Sequence, residues 1–539
     1  MDWAEEDCMI RRFNTTGVCQ PDKHYMVEIS EKLQKIKKLI ADGDYFVMNR
    51  ARQFGKTTTL SLLEKYLKEQ YVVFFISFEG LGESAFADEL SFCRGIGRLM
   101  ENVLKYRSVS GISERSRRQL HNIGQGSMEH MDFLMLSDFF ADLCAEAERP
   151  VVMMIDEVDQ ASNYRIFLDF LGLLRSGYLQ REQRPFFQSV ILAGVYDIKN
   201  LKLKIRTDGE HQCNSPWNIA TDFRVDMSFD SLEIRKMLTE YEMDWRTGMD
   251  RAIMSDLIYD YTSGYPYLVS RICQLMDEQV TGSENFPNKA DAWTRAGFLE
   301  AVKLLLKESN TLFDDILKKL NDYAELKHML WNILFRGETY PFNPYDFSIN
   351  LGMMFGFVKE KQNQVVVANR IFETLLYNLF LSETSNTYEI YGEATRELSQ
   401  FVVNGMLDMD VVMKKFMEHF TEIYGDADTK FIEENGRRIF LIYLRPIING
   451  TGNYYIEAQT RDRKRTDIIV DYKGIQEIIE LKIWHGEEYN RRGEAQLFEY
   501  LKFYRKEKGY LLSFNFNKGK KVLMQEIVYE GKRIVEVVV

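Results

Sequence analysis

The segment that most constrains this chain is Tyr45–Leu67, YFVMNRARQFGKTTTLSLLEKYL. It begins as a short apolar strand, passes through a loop containing Gly55, and continues with Leu60, Leu63 and Leu67 at helical spacing. Three further apolar runs repeat its first half: YVVFFISF (Tyr71–Phe78), PVVMMIDEVD (Pro150–Asp159) and FQSVILAGVYD (Phe187–Asp197). Strands that are apolar on both faces suit a parallel sheet covered by helices on either side. This part of the chain is therefore predicted to be α/β, wound by right-handed crossovers.

After Ser228 the strand signals fade and helical segments dominate through Lys307, with a turn at Gly264 and Pro266. From Glu325 to Phe380 two helices precede FGFVKEKQNQVVVAN, which reads as two short strands joined by a polar turn, and another helix follows. That order suggests a winged-helix module. LSETSNTYE (Leu381–Glu389) is polar and reads as a linker, and a helical region runs on to Gly425. From Phe431 the pattern is helix, strand, strand, strand, helix, strand. The 539 residues are expected to divide into an α/β core (1–228), a helical lid (229–310), the winged-helix-like module (311–382), a helical linker region (383–425) and a C-terminal α/β domain (426–539).

Composition narrows the classes of partner. The net charge of −12 argues against a general nucleic-acid coat, but residues 431–539 carry 20 Lys+Arg against 16 Asp+Glu, so a local patch for a polyanion fits there. Six cysteines without a C-x-x-C pair read as reduced thiols, with no structural metal. No run approaches the eighteen or so apolar residues of a membrane helix, and the first residues lack a signal-peptide layout. The expectation is a cytoplasmic protein with no membrane partner.

The loop Arg50–Thr57 ends in the G-K-T of a phosphate-binding loop, although Arg50 stands where the G-x-x-x-x-G-K-[ST] pattern has its first glycine. Such a loop works because backbone N–H groups at a helix N-terminus face the phosphates, a Lys reaches the β and γ oxygens, and a hydroxyl binds Mg²⁺. Gly55, Lys56 and Thr57 supply those elements, and Arg50 fits if its backbone angles are ordinary. The second half of the pattern is a carboxylate on a neighbouring strand. Asp156 is placed to complete the Mg²⁺ shell and Glu157 to orient and deprotonate the attacking water. The cofactor-binding set is Arg52, Gln53, Phe54, Gly55, Lys56, Thr57 and Thr58 together with Asp156, and the ligand is ATP with Mg²⁺.

NRARQFGKTT resembles the loop of the AAA-ATPase-like proteins of anaerobic gut bacteria, which commonly reads R-P-R-R-F-G-K-[ST]. The resemblance implies a P-loop ATPase of the AAA/STAND-like kind and makes the missing glycine a family trait. FNTTGVCQPDKHYMV (Phe13–Val27) is similar to the segment ahead of the loop that packs near the base. LAGVYDI is similar to the family strand whose polar residue senses the γ-phosphate, a position held here by Ala193. SGYPYL is similar to a G-x-P lid turn, which makes Arg271 a candidate second sensor. Arg52, Arg175 and Arg184 each stay open as an arginine finger in a homo-oligomer.

The second chemistry-bearing stretch is RTDIIVDYKGIQEIIELKIW (Arg465–Trp484). Asp467 opens an apolar strand, a turn falls at Lys473-Gly474, and Glu480 and Lys482 share one face of the next strand. Two charges set into an apolar strand cost several kcal/mol unless paired or metal-bound, which leaves either a metal site or a surface edge strand. The oxygen ligands Asp467 and Glu480 suit Mg²⁺ or Mn²⁺, with Lys482 beside the attacking water.

This stretch resembles the PD-(D/E)XK nuclease superfamily, in the branch fused to AAA-ATPase-like proteins. The resemblance implies a restriction-endonuclease-like α/β domain, with Glu434, preferred over Glu433, as the acidic residue of the preceding helix and Gln496 and Tyr500 of NRRGEAQLFEYLKFY supporting the site. Thr466 stands where the family has proline. Arg461, Arg463, Lys464, Arg465, Arg491 and Arg492 flank the motif and could hold phosphates. The expected protein is a bacterial ATP-binding and ATP-hydrolysing enzyme whose nucleotide state gates a metal-dependent DNA nuclease, in defence or mobile-element biology. The rival reading is a non-catalytic ATP-controlled switch with a degenerate nuclease fold, and RNA is not excluded as the target.

Overall fold

The computed structural model describes residues 11–107, 109–128, 130–195, 217–336, 338–384, 389–424, 429–448, 452–456, 467–473, 475–483, 487–504, 506–515 and 522–539. The chain divides into two compact units. The first holds residues 1–246, 264–271 and 354–356, and the second holds 247–263, 272–353 and 357–539.

The first unit is built on a parallel sheet of β1 (Phe46–Asn49), β2 (Val72–Ser77), β3 (Val151–Asp156) and β4 (Ser189–Gly194), in the order β1-β4-β3-β2. All six residues of β3 and of β4 are buried, the two-sided burial that their apolar runs demand. Phe74, Ile76, Met153, Ile155, Val190 and Leu192 lie in one core with Phe92, Phe140 and Phe170 of the covering helices. Helix starts are fixed by side-chain caps: Asp88 accepts from Ser91 N–H, Asp132 from Met135 N–H, and Asp230 forms a reciprocal capping box with Glu233.

One expectation is corrected here. The strand that carries Asp156 is not the neighbour of the phosphate-loop strand, because β4 lies between β1 and β3. On the other side of β1, Phe46 forms an isolated parallel bridge with Thr221, whose N–H donates to Tyr45 O at 2.8 Å.

The second unit contains helices, a three-stranded sheet in the order β5-β7-β6 (β5 Tyr340–Pro341, β6 Val358–Lys361, β7 Gln364–Val367) and a hairpin of β8 (Val402–Val403) and β9 (Met406–Leu407). The hairpin interrupts the region expected to be helical up to Gly425. Its turn is Asn404-Gly405, both at positive φ, the pairing that tight hairpin turns require.

A six-stranded mixed sheet follows, ordered β10-β11-β12-β13-β15-β14. Its strands are β10 (Gly452–Ile456), β11 (Asp467–Tyr472), β12 (Ile475–Ile483), β13 (Lys508–Phe514), β14 (Leu523–Tyr529) and β15 (Lys532–Val538). β10, β11 and β12 form an antiparallel meander, and helix Glu487–Phe503 crosses over to β13, which runs parallel to β12. Leu497, Tyr500 and Leu501 of that helix pack with Ile478, Leu511 and Ile534. After that helix the chain forms three strands where one was expected, the closing β14–β15 hairpin being the addition. Its turn, Glu530-Gly531, again takes positive φ at both residues.

Candidate functional site

β1 delivers the chain into the loop Arg50–Gly55, and Gly55 at φ 77° N-caps helix Lys56–Leu67. A Cβ at Gly55 would touch only Pro266 Cβ, at 4.0 Å, so the glycine is required by the backbone angle and not by space. Gln53 also takes positive φ, whereas Arg50 does not, so nothing in the backbone at position 50 calls for glycine. Arg50 instead uses its side chain. Its guanidinium donates to Val225 O at 2.9 Å and Phe223 O at 3.4 Å and lies over the Phe223 ring, tying the 223–225 segment to the loop.

Lys56 is 7% exposed. Its Nζ donates to Arg50 O and Ala51 O, each at 3.0 Å. Burial pushes its pKa down, while the charges of Asp159, Glu157 and Asp156 oppose that shift. Thr57 Oγ1 donates to Asp156 Oδ2 at 2.7 Å, across from the end of β3. The hydroxyl and carboxylate oxygens are hard donors of the kind Mg²⁺ selects, and they stand close enough to share one ion. Glu157 follows in the left-handed region at φ 53°, its N–H on Asp156 Oδ1 at 2.9 Å. Burial, and then the Asp156 charge, raise its pKa, with Lys56 opposing.

The sequence-expected residues of this loop thus divide. Lys56, Thr57, Asp156 and Glu157 come together. Arg52 is exposed; its carbonyl accepts from the Tyr265 hydroxyl, and its charge adds to the lowering of the Lys56 pKa. Phe54 packs edge-on against Tyr265, with ring centroids 4.7 Å apart, and Thr58 Oγ1 accepts from Cys19 N–H at 3.3 Å, holding the N-terminal segment. Ala193 is fully buried in β4 and offers no polar group. Two residues escaped the sequence reading. Asp159, three positions after Asp156, accepts Val195 N–H at 2.6 Å and is the largest of the charges that support the Lys56 ammonium. Tyr265 donates its hydroxyl to Arg52 O. Of the arginine-finger candidates, Arg184 is paired with Asp138 at 2.5 Å, Arg175 is half-buried and Arg52 is exposed; Arg271, the candidate second sensor, is half-buried.

In the second unit, Glu480 is fully buried on β12 and ion-paired with Lys482, whose Nζ also donates to Gln496 Oε1 at 3.1 Å. Gly493 of the crossover helix packs against this lysine: a Cβ there would sit 3.2 Å from Leu511 Cδ1 and 3.3 Å from the Lys482 stem. Asp467 stands directly opposite Glu480 in the β11–β12 register. Its side chain lies outside the described residues, as do those of Glu434, Arg461, Arg463, Lys464, Arg465, Arg491 and Arg492. Among the described residues, no group of three or more His, Cys, Asp and Glu is gathered to hold a metal ion. No helix of the described residues is long and apolar enough to cross a membrane.

Residues 15–378 match a family model described as an AAA-like domain. No curated protein matches the chain. Among solved structures, the chain is similar to a Walker-type ATPase of Pyrococcus abyssi at 15% identity and a TM-score of 0.44, over 68% of this chain and 99% of that one. It is also similar to the Aeropyrum pernix ORC2 protein in its ADPNP–ADP complexes (12% identity, TM-score 0.36, 69% and 98% covered). The Aeropyrum pernix ORC1 protein in complex with DNA is similar at 11% identity and a TM-score of 0.29, with 67% and 96% covered.

Proposed function

The chain belongs to the AAA-like domain family, and from that premise we propose that it hydrolyses ATP at the Lys56 loop and that its nucleotide state gates a metal-dependent DNA nuclease on the β10–β15 sheet. The observation that carries this reading is the 2.7 Å contact between the Thr57 hydroxyl and the Asp156 carboxylate, with the half-buried Glu157 next in sequence. Mg²⁺ held by those two oxygens would neutralise charge on the β- and γ-phosphates. Lys56 exchanges loop carbonyls for phosphate oxygens, and Glu157 takes the proton of the attacking water.

The nuclease half is supported by the Glu480–Lys482–Gln496 cluster. Burying Glu480 costs several kcal/mol, which the Lys482 pair offsets only in part, so a purely stabilising role explains the cluster poorly. Asp467, opposite in register, would give a metal its second carboxylate. The local excess of basic residues in 431–539 supports a polyanionic substrate. Coupling is supported by contacts inside the second unit: Arg370 meets Asp260 of helix Arg251–Thr262 at 2.8 Å, and Arg295 donates to Gln476 of β12 at 3.1 Å.

The test is cleavage of plasmid, linear and single-stranded DNA, and of RNA, with Mg²⁺ or Mn²⁺ and with or without ATP. Lys482→Ala is expected to abolish cleavage while leaving ATP turnover within about twofold, since its contacts lie in the other unit; Lys56→Ala is expected to abolish only the response to ATP. A wild type that binds ATP yet cuts none of these substrates sinks the nuclease half and leaves an ATP-controlled binding switch.

A further inference from the structure

Residues 264–271 belong to the first unit, with the phosphate loop. The turn they open is tightly held: Gly264 is at φ 71°, a Cβ there would lie 1.8 Å from Phe229 O, and Phe229 N–H donates to Gly264 O at 2.8 Å. This seats Tyr265, 3% exposed, with its hydroxyl on the Arg52 carbonyl and its ring on Phe54. Gly356 adds a second wall. A Cβ there would come within 2.9 Å of Ala51 Cβ and 3.7 Å of the Tyr265 ring.

The carbonyls of the loop are thereby shared out. Those of Arg50 and Ala51 accept from Lys56 Nζ, and that of Arg52 accepts from Tyr265. In a trans peptide the C=O and the following N–H point in opposite directions, and no peptide of the described chain is cis. Holding the Arg52 carbonyl on Tyr265 therefore turns the Gln53 N–H away from the turn. Phosphate recognition by such a loop depends on N–H groups that are already aimed.

We propose that Tyr265 is a positioning residue of the nucleotide site: its hydroxyl fixes the Arg52–Gln53 peptide so that the Gln53 N–H is presented to a nucleotide phosphate. The proposal rests on the ATP-site reading above. Tyr265 touches the loop at the Arg52 carbonyl and the Phe54 ring, so its contribution is expected in nucleotide binding and not in the chemical step.

The experiment compares wild type, Tyr265→Phe and Lys56→Ala for ATP Kd, for KM and kcat of turnover, and for the unfolding midpoint of the nucleotide-free protein. Tyr265→Phe keeps the ring on Phe54 and removes one hydrogen bond, so Kd and KM are expected to rise roughly two- to tenfold. The kcat is expected to stay at its wild-type value and the nucleotide-free midpoint to fall by no more than the loss of one hydrogen bond; a merely structural role would lower the midpoint and leave Kd and KM unmoved. A Tyr265→Phe protein with wild-type Kd and KM, beside a Lys56→Ala protein that has lost ATP, overturns the role of Tyr265 alone. Wild type and Lys56→Ala binding ATP equally poorly overturns the nucleotide-site reading and this proposal with it.

Discussion

Glu157 carries two burdens at one position. Its left-handed backbone costs of order 1 kcal/mol for a residue with a Cβ, and its carboxylate is raised above the ordinary glutamate value of 4.5 by burial first and the Asp156 charge second. A base works as the carboxylate, so a raised pKa moves the loss of activity on acidification to higher pH. The acid limb of the kcat profile is expected above pH 4.5. Asp159 is a further cause of the rise, so Asp159→Asn is expected to move that limb downward. A limb that stays put in Asp159→Asn, or that lies below 4.5 in wild type, contradicts the assignment of Glu157 as the base. Lys56, Thr57, Asp156 and Glu157 were legible because the loop motif and an apolar strand ending in two acids force their spacing. Tyr265 and Asp159 were not, since each acts by bonding a backbone atom remote in sequence, and no pattern of residue types records a backbone partner.

At the scale of elements, the four strands of the first unit were legible as apolar runs, but their order was not. The insertion of β4 between β1 and β3 is decided by packing between distant segments, and periodicity carries no pairing information. The hairpins at Asn404-Gly405 and Glu530-Gly531 had a readable cue, a polar residue followed by glycine, and the short strands around the first were overruled by the helical patterning on either side. The turn at Gly264 was legible as a turn, and its physical reason emerges only from the 1.8 Å approach of Phe229 O. Gly264→Ala must pay both the left-handed backbone and that collision. The expected cost is about 2 kcal/mol or more, seen as a lower unfolding midpoint and, because Tyr265 moves with the turn, as weaker ATP binding. A variant with wild-type midpoint and wild-type affinity would show that the turn has room the structure denies it.

For the whole molecule, the gating proposal requires that a change at the phosphate loop be felt at the six-stranded sheet. The boundary between the units cuts the chain five times, at Arg246–Thr247, Ser263–Gly264, Arg271–Ile272, Met353–Met354 and Gly356–Phe357. A displacement of residues 264–271 or 354–356 is therefore imposed covalently on segments of the second unit. One of these is helix Arg251–Thr262, which is tied to Arg370 through Asp260 and the Tyr261 ring. If ATP draws Lys56 off the Arg50 and Ala51 carbonyls, the loop shifts against Tyr265 and the change enters that helix through Ser263. Amide hydrogen exchange reads this directly. ATP is expected to alter exchange in 251–262 and in β12 of wild type, and to leave both unchanged in Lys56→Ala. An ATP-bound wild type whose exchange changes in the first unit alone would separate the two sites, and the gating reading would fall while ATP binding stood.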